Sequence, residues 1–292
     1  MSGNLIDLRK RIKAVNNTKK IFQAMKSVSA AKLRRSVTDV QRNLPMMEKI
    51  KELLARVGQG PQGKSNPFLQ ERNSGDRLVI VLSSDKGLCG SFNSHVMDYL
   101  DQYYEELLDQ GESPALITAG NRVFKHVRKK GYNLKKNFPS MMSRLSHKEA
   151  FELSQYVQKI YLEGEIKKVE FLYTNYISAS KQEVGVRTLF PIQKEWGDGD
   201  TEGNKEIEYI FEPSVDEIFE RLLPLYINLF VYRVLLESAA SEHGARMVAM
   251  DLASRNAGEM IRTLTLTMNK LRQASITTEL LEIITATEAL NK

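Results

Sequence analysis

The chain has 292 residues, 42% hydrophobic and 27% charged, with 42 Lys and Arg against 36 Asp and Glu. That balance describes a globular sequence of about two domains. The single cysteine, Cys89, excludes an intramolecular disulfide or a multi-cysteine zinc site, and His95, His126, His147 and His243 show no metal-ligand spacing.

No apolar run reaches the roughly 18 residues of a membrane span. The nearest, Leu222 to Leu236, is interrupted by Pro224, Asn228 and Arg233. No signal-peptide core opens the chain, so a cytosol-like compartment is expected. Net charge is +6 but uneven. Up to Arg35 there are ten Lys and Arg against Asp7 alone, about +9, which leaves the remainder near −3. A basic stretch of this kind is either a solvated helix face or a counter-surface for an anionic partner. Nucleic acid is disfavoured because no aromatic side chains interleave with the bases.

In chain order, a helix is expected from about Leu5 to Val57, with Asn4 as N-cap. Its seam is Leu5, Leu8, Ile12, Val15, Phe22, Met25 and Val28, a narrow apolar stripe on a basic rod. Small residues, Ser27, Ser29, Ala30 and Ala31, then permit close approach of a neighbour. At 1.5 Å per residue this helix would run about 75 Å. The Gly- and Pro-containing stretch Gly58 to Pro67 ends it.

From about Arg77 to Phe211 the pattern alternates. Strands are expected at Leu78–Leu82, Leu116–Thr118 and Val169–Tyr173, with helices near Ser94–Gln110, Asn121–Lys130 and His147–Leu162. Such alternation predicts one α/β domain with a mostly parallel, Rossmann-like sheet. Two late strands, Val184–Leu189 and Glu206–Phe211, would flank the polar turn Trp196–Gly203.

A last helix is expected from Ser214, its N-cap, to Leu290, about 115 Å long, with an irregularity at Pro224. One heptad phase holds Ala257, Leu264 and Leu271 at a and Ile261, Met268 and Ser275 at d. It then lapses into Thr278, Glu282 and Thr285, and a new stripe of Ile276, Leu280, Ile283, Ile284 and Ala286 takes over near Leu271. The fold class is therefore α+β: an antiparallel two-helix coiled coil from the two termini, with the C-terminal helix outreaching its partner, plus one central α/β domain. The divisions are 1–58, 75–212 and 213–292.

Ser83 to Asn93 follows the first strand and precedes a helix, the place of a phosphate-binding turn. The spacing of Gly87 and Gly90 fits neither the dinucleotide fingerprint nor the P-loop, so a tight strand-to-helix turn with a packed Cys89 is the plainer reading. No base or metal cluster supports Asp85 or Lys86 as catalytic groups. No catalytic, cofactor-binding or metal site follows from the residues.

The stretches Arg11–Met25, Ala30–Arg34, Ser84–Ser94, Glu242–Met250 and Asn269–Thr277 resemble the gamma subunit of the F-type ATP synthase, bacterial type, from end to end. Gly90-Ser91 stands where many members have two glycines. The cysteine pair of the redox-regulated chloroplast members is absent.

The resemblance implies a non-catalytic rotor, the central stalk of a proton-translocating ATP synthase, carrying torque between a membrane c-ring and three alpha and three beta subunits, beside epsilon. It implies a peripheral position on the cytoplasmic face of the inner membrane, and no cofactor. It assigns rotor–stator contacts to Lys19, Lys20, Met25 and Lys26, facing an acidic loop of beta, and to Arg246, Arg272, Gln273 and Thr277 at the alpha/beta collar. Ile276, Leu280, Ile283 and Ile284 would turn in an apolar sleeve, and Tyr209 and Glu212 would meet epsilon and the c-ring. The alternative is a small α/β nucleotide-binding enzyme with coiled-coil dimerisation arms. That enzyme would bind a nucleotide by itself through the loop from Ser84 to Asn93.

Overall fold

The computed structural model describes residues 2–58, 65–192, 212 and 214–290. Chain order is α1 (Ser2–Val57), β1 (Asp76–Leu82), α2 (Phe92–Asp109), β2 (Pro114–Ala119), α3 (Asn121–Lys130), β3 (Leu134–Phe138), a 3₁₀ turn (Met142–Arg144), α4 (His147–Leu162), β4 (Ile166–Tyr176), β5 (Gln182–Phe190) and α5 (Val215–Leu290). The molecule divides into two compact units, one of residues 30–246 and one of residues 1–29 with 247–292.

In the larger unit the sheet order is β3-β2-β1-β4-β5, parallel except for the antiparallel β4–β5 hairpin. The all-apolar run of β1 is buried on both faces, and its alternation decides which core each residue enters. Leu78, Ile80 and Leu82 pack with Leu153, Val157 and Tyr161 of α4, Leu54 of α1, and Phe219 and Ile227 of α5. Val79 and Val81 face the opposite way, onto Val96 and Leu100 of α2 and Val123 and Val127 of α3. One polar cluster interrupts this plan. Glu170, 2% exposed on β4, accepts from Tyr103 at 2.6 Å and pairs with Arg77 at 3.3 Å. Burial opposes the Arg77 charge, yet hydrogen bonds to Glu112 and Tyr103 hold its pKa above the ordinary guanidinium value.

The smaller unit pairs the start of α1 with the end of α5. Lys26 meets Asp251 at 2.5 Å, and the amine of Lys19 lies 3.3 Å from where a Cβ on Gly258 would stand. Each pair of residue numbers totals 277, the constant expected of antiparallel helices in fixed register. On that register α5 continues beyond the start of α1.

Several expectations change. Asn4 lies inside α1, which starts at Ser2, so it caps nothing. Ser214 does cap α5, accepting from the Glu217 amide at 3.3 Å. α5 is assigned as helix without a break through Pro224, and α1 likewise contains Pro45. In the seam of α1, Leu5, Leu8, Ile12, Val15, Phe22 and Met25 are half-buried, but Val28 is 56% exposed and Ser29 takes the inward position. β3 was not expected. The expected strand Glu206–Phe211 and the turn Trp196–Gly203 lie outside the described residues. Contrary to the expectation that no apolar run is long enough, α5 holds an 18-residue window apolar enough to cross a membrane; 72% of that window is buried inside the protein, as in a core helix.

Candidate functional site

In an open parallel sheet a ligand is expected at the carboxyl edge, where strand order reverses. Here β1 is flanked by β2 on one side and β4 on the other, so the crevice opens between the loop after β1 and the β4–β5 turn. The loop after β1 is closed on itself. The Ser84 amide donates to Asn93 Oδ1 at 3.1 Å, and Asn93 Nδ2 lies 3.0 Å from the buried Cys89 sulfur. Asp85 is consumed as a double cap, accepting from the Asn121 amide at 3.1 Å and the Ser143 amide at 2.7 Å. Gly120, at φ +116°, passes so close that a Cβ would stand 2.1 Å from the Ser83 carbonyl oxygen.

The crevice itself is filled by α5. Ser241 donates to the Thr174 carbonyl at 3.0 Å. Gly244 lets the helix reach the β4–β5 turn, where a Cβ would be 3.3 Å from Ala179 Cα. Arg246 donates to the Gly87 carbonyl at 3.3 Å and the Lys86 carbonyl at 3.4 Å, and pairs with Glu242 at 2.7 Å. Burial raises the Glu242 carboxyl, with Arg246 working against it. Burial, then Arg246 and Lys32, push His243 down to about 4. A nucleotide's place is thus occupied by the protein's own helix, and the loop's anchor lies more than 150 residues away in sequence. No local motif could have disclosed that partner.

The other expected site residues divide clearly. Lys19 and Met25 are half-buried in the coil, Lys19 across Gly258. Lys20 is exposed. Lys26 is held by Asp251, whose carboxyl lies below its usual range through that bond and the one to Arg255. Arg246 is only 11% exposed at its side chain and engaged as above. Arg272 and Gln273 are exposed, and the Thr277 hydroxyl donates to the Gln273 carbonyl at 3.0 Å. Ile276, Leu280, Ile283 and Ile284 are 50%, 54%, 62% and 55% exposed, with Leu281 at 58%. Glu212 is exposed, and Tyr209 lies outside the described residues. Among the described residues no group of three or more His, Cys, Asp or Glu is placed to hold a metal.

A sheet whose ligand crevice is plugged by its own helix, and chain ends paired so that one presents bare aliphatic residues, define a helix-presenting structural subunit. The nucleotide-enzyme alternative loses its binding place. The sequence profile of the family described as ATP synthase matches residues 4–290. The ATP synthase gamma chain of Geobacter metallireducens is 40% identical over 289 residues, covering 99% of both chains, and that of Chlorobium phaeobacteroides is 37% identical over 292 residues, again 99% of both. A chain in the Euglena gracilis mitochondrial ATP synthase (OSCP/F1/c-ring) shares the fold at TM-score 0.67 and 19% identity, covering 99% of this chain and 95% of that one. The chain belongs to the ATP synthase gamma chain family.

Proposed function

We propose that the chain is the central-stalk rotor of a proton-translocating F-type ATP synthase, a non-catalytic subunit that carries torque between the membrane c-ring and the alpha/beta hexamer, beside epsilon. The observation that carries this reading is the family match from residue 4 to residue 290. The complex is membrane-bound and the chain peripheral to it; the cytoplasmic face of the inner membrane is the side proposed. Residues 1–58 and 213–292 supply the coiled coil and 75–212 the α/β domain.

The bare end of α5 suits a bearing. A helix with Ile276, Leu280, Ile283 and Ile284 on one stripe and Leu281 beside it has more apolar surface than a solvated helix tolerates. A surrounding collar would cover it, with Arg272, Gln273 and Thr277 at the collar's polar rim. Lys20 and the basic surface of α1 face the acidic loop of beta. Torque reaches the nucleotide sites only as differential contact: each orientation of an asymmetric stalk favours a different state of the subunit it touches. Glu212 and Tyr209 are proposed for the foot.

Reconstitution tests the reading. Alpha and beta subunits should assemble with the full chain into a complex whose ATP hydrolysis drives ion movement once joined to the membrane sector. Replacing Arg272 and Gln273 together by alanine should weaken coupling or assembly while the α/β domain stays folded. Full coupling in that double variant would remove both residues from torque transmission; nucleotide binding by the isolated chain would favour the enzyme reading.

A further inference from the structure

A cavity of about 330 Å³ lies within the larger unit among α1, the 3₁₀ turn, the start of α4 and α5. Met142, Leu145, Leu236 and Ala239 supply an apolar floor, and Lys32, Arg35, Ser36 and Ser143 supply basic and hydroxyl groups. We propose that this cavity binds a phosphate-class oxyanion, held between Lys32 and Arg35 of α1 and the imidazoles of His147 and His243, with the hydroxyls of Ser36 and Ser143 as further donors.

Four observations converge on an anion. Asp39 is the one carboxylate in the lining, against two fixed cations. Neither Lys32 nor Arg35 has an ion-pair partner among the described residues, although Arg246, on the same side of α5, is fully engaged with Glu242. The sixteen-residue α4 opens at this cavity with Ser146 as its N-cap, and its dipole adds positive potential there, reduced by the Glu149 carboxylate of its first turn. Finally, Ser36 and Ser143 place two hydroxyl groups in the same lining. A tetrahedral oxyanion accepts from a guanidinium, an ammonium and hydroxyls at once, which a metal ion or a neutral ligand does not. The apolar floor leaves room for a short hydrocarbon substituent. The shared chemistry is therefore the phosphate group, free or as the monoester of a small apolar alcohol. Binding would tie α1 to α5 and to the α4 end of the sheet.

The test is titration of the full chain with inorganic phosphate and, separately, with butyl phosphate, followed by calorimetry and by the ring proton shifts of His243. Saturable one-to-one binding is expected. An Arg35→Gln, Lys32→Gln variant should bind about tenfold or more weakly, since charge-assisted bonds to the anion are lost. Lys10→Gln, Lys13→Gln, on the basic helix away from the cavity, should bind as the unaltered chain does. The charged groups around His243 are Lys32 from α1 and Arg246 from α5, with Arg35 and Asp39 of α1 lining the same cavity. Because the anion offsets Lys32, its binding should raise the His243 pKa. Tighter binding of butyl phosphate assigns the monoester, and equal binding the free anion. Equal loss in both double variants, or unmoved His243 signals at saturating phosphate, would overturn the site. The histidine signals in the unaltered chain keep the test decisive even if the Arg35 variant folds poorly.

Discussion

At the carboxyl edge of the sheet Ser83, Ser84, Asp85 and Asn93 have partners within the chain, and α5 lies where a ligand would. The last described turns of α5 are the reverse, with five large aliphatic side chains half or more exposed between Ile276 and Ile284. One region is finished by folding and the other is left open by it. The difference separates two kinds of residue: those whose polar groups are spent inside the fold, and those whose apolar surface the chain itself leaves uncovered. Changes at the first should therefore cost stability, and changes at the second should cost coupling while leaving stability alone.

The largest effect is expected at Gly120. Its φ of +116° and the 2.1 Å approach to the Ser83 oxygen leave no room for a methyl group. Gly120→Ala should destabilise the chain by about 4 kcal/mol or more, read from its urea midpoint. An unchanged midpoint would mean that the edge is looser than described.

Next is the pH response of His243. Its folded pKa, about 4, lies below the ordinary 6.5. Between those values the unfolded chain takes up a proton that the folded chain refuses, so this residue's contribution falls as pH drops and levels off below about 4. The full loss is up to about 3 kcal/mol. Glu242 acts oppositely, since burial raises its carboxyl and the folded state gains a proton more readily as pH falls. The informative quantity is therefore the difference between the unaltered chain and His243→Gln. The variant should lose less stability from pH 6.5 to 4. Parallel pH profiles would show that His243 is not shielded by this crevice.

Two helical glycines give smaller effects of opposite sign. Gly244→Ala puts a methyl group 3.3 Å from backbone at Ala179, which has nowhere to go, and should destabilise by about 1 kcal/mol net of the gain in helix propensity. Gly258→Ala meets only the flexible end of Lys19, so propensity wins and stability should rise by about 0.5–1 kcal/mol. If thermal denaturation ranks them the other way, the coil rather than the crevice is the tightly packed region.

Much of this contrast was legible in the sequence, for identifiable reasons. Long helices announce themselves by periodicity, and the lapse of the heptad past Leu271 marked where α5 runs on beyond α1. β1 was readable because five consecutive apolar residues bounded by turn signals leave little choice. β3 was not: Leu-Lys-Lys-Asn-Phe has two apolar residues in five and becomes a strand only by pairing with β2. Val28, counted into the seam by its spacing, is exposed, whereas Ser29, expected as a small residue of close approach, does turn inward. Lys19 and Lys26 read as free cations and lie instead against Gly258 and Asp251. For both lysines the deciding partner is more than 200 residues away.

The smallest effect on stability should come from the tail, and there the comparison is sharpest. Ile283→Gln with Ile284→Gln replaces side chains 62% and 55% exposed, with no neighbour to lose. Surface changes of this kind shift stability by no more than about 0.5 kcal/mol. In the assembled complex the same pair should reduce ATP-driven ion movement relative to ATP hydrolysis, because polar side chains enter an apolar collar unpaired. A marked fall in the stability of the isolated chain would mean that the tail packs on its own protein. Unimpaired coupling would mean that the collar does not grip these residues, and the bearing would then belong to Arg272 and Gln273 on the polar rim.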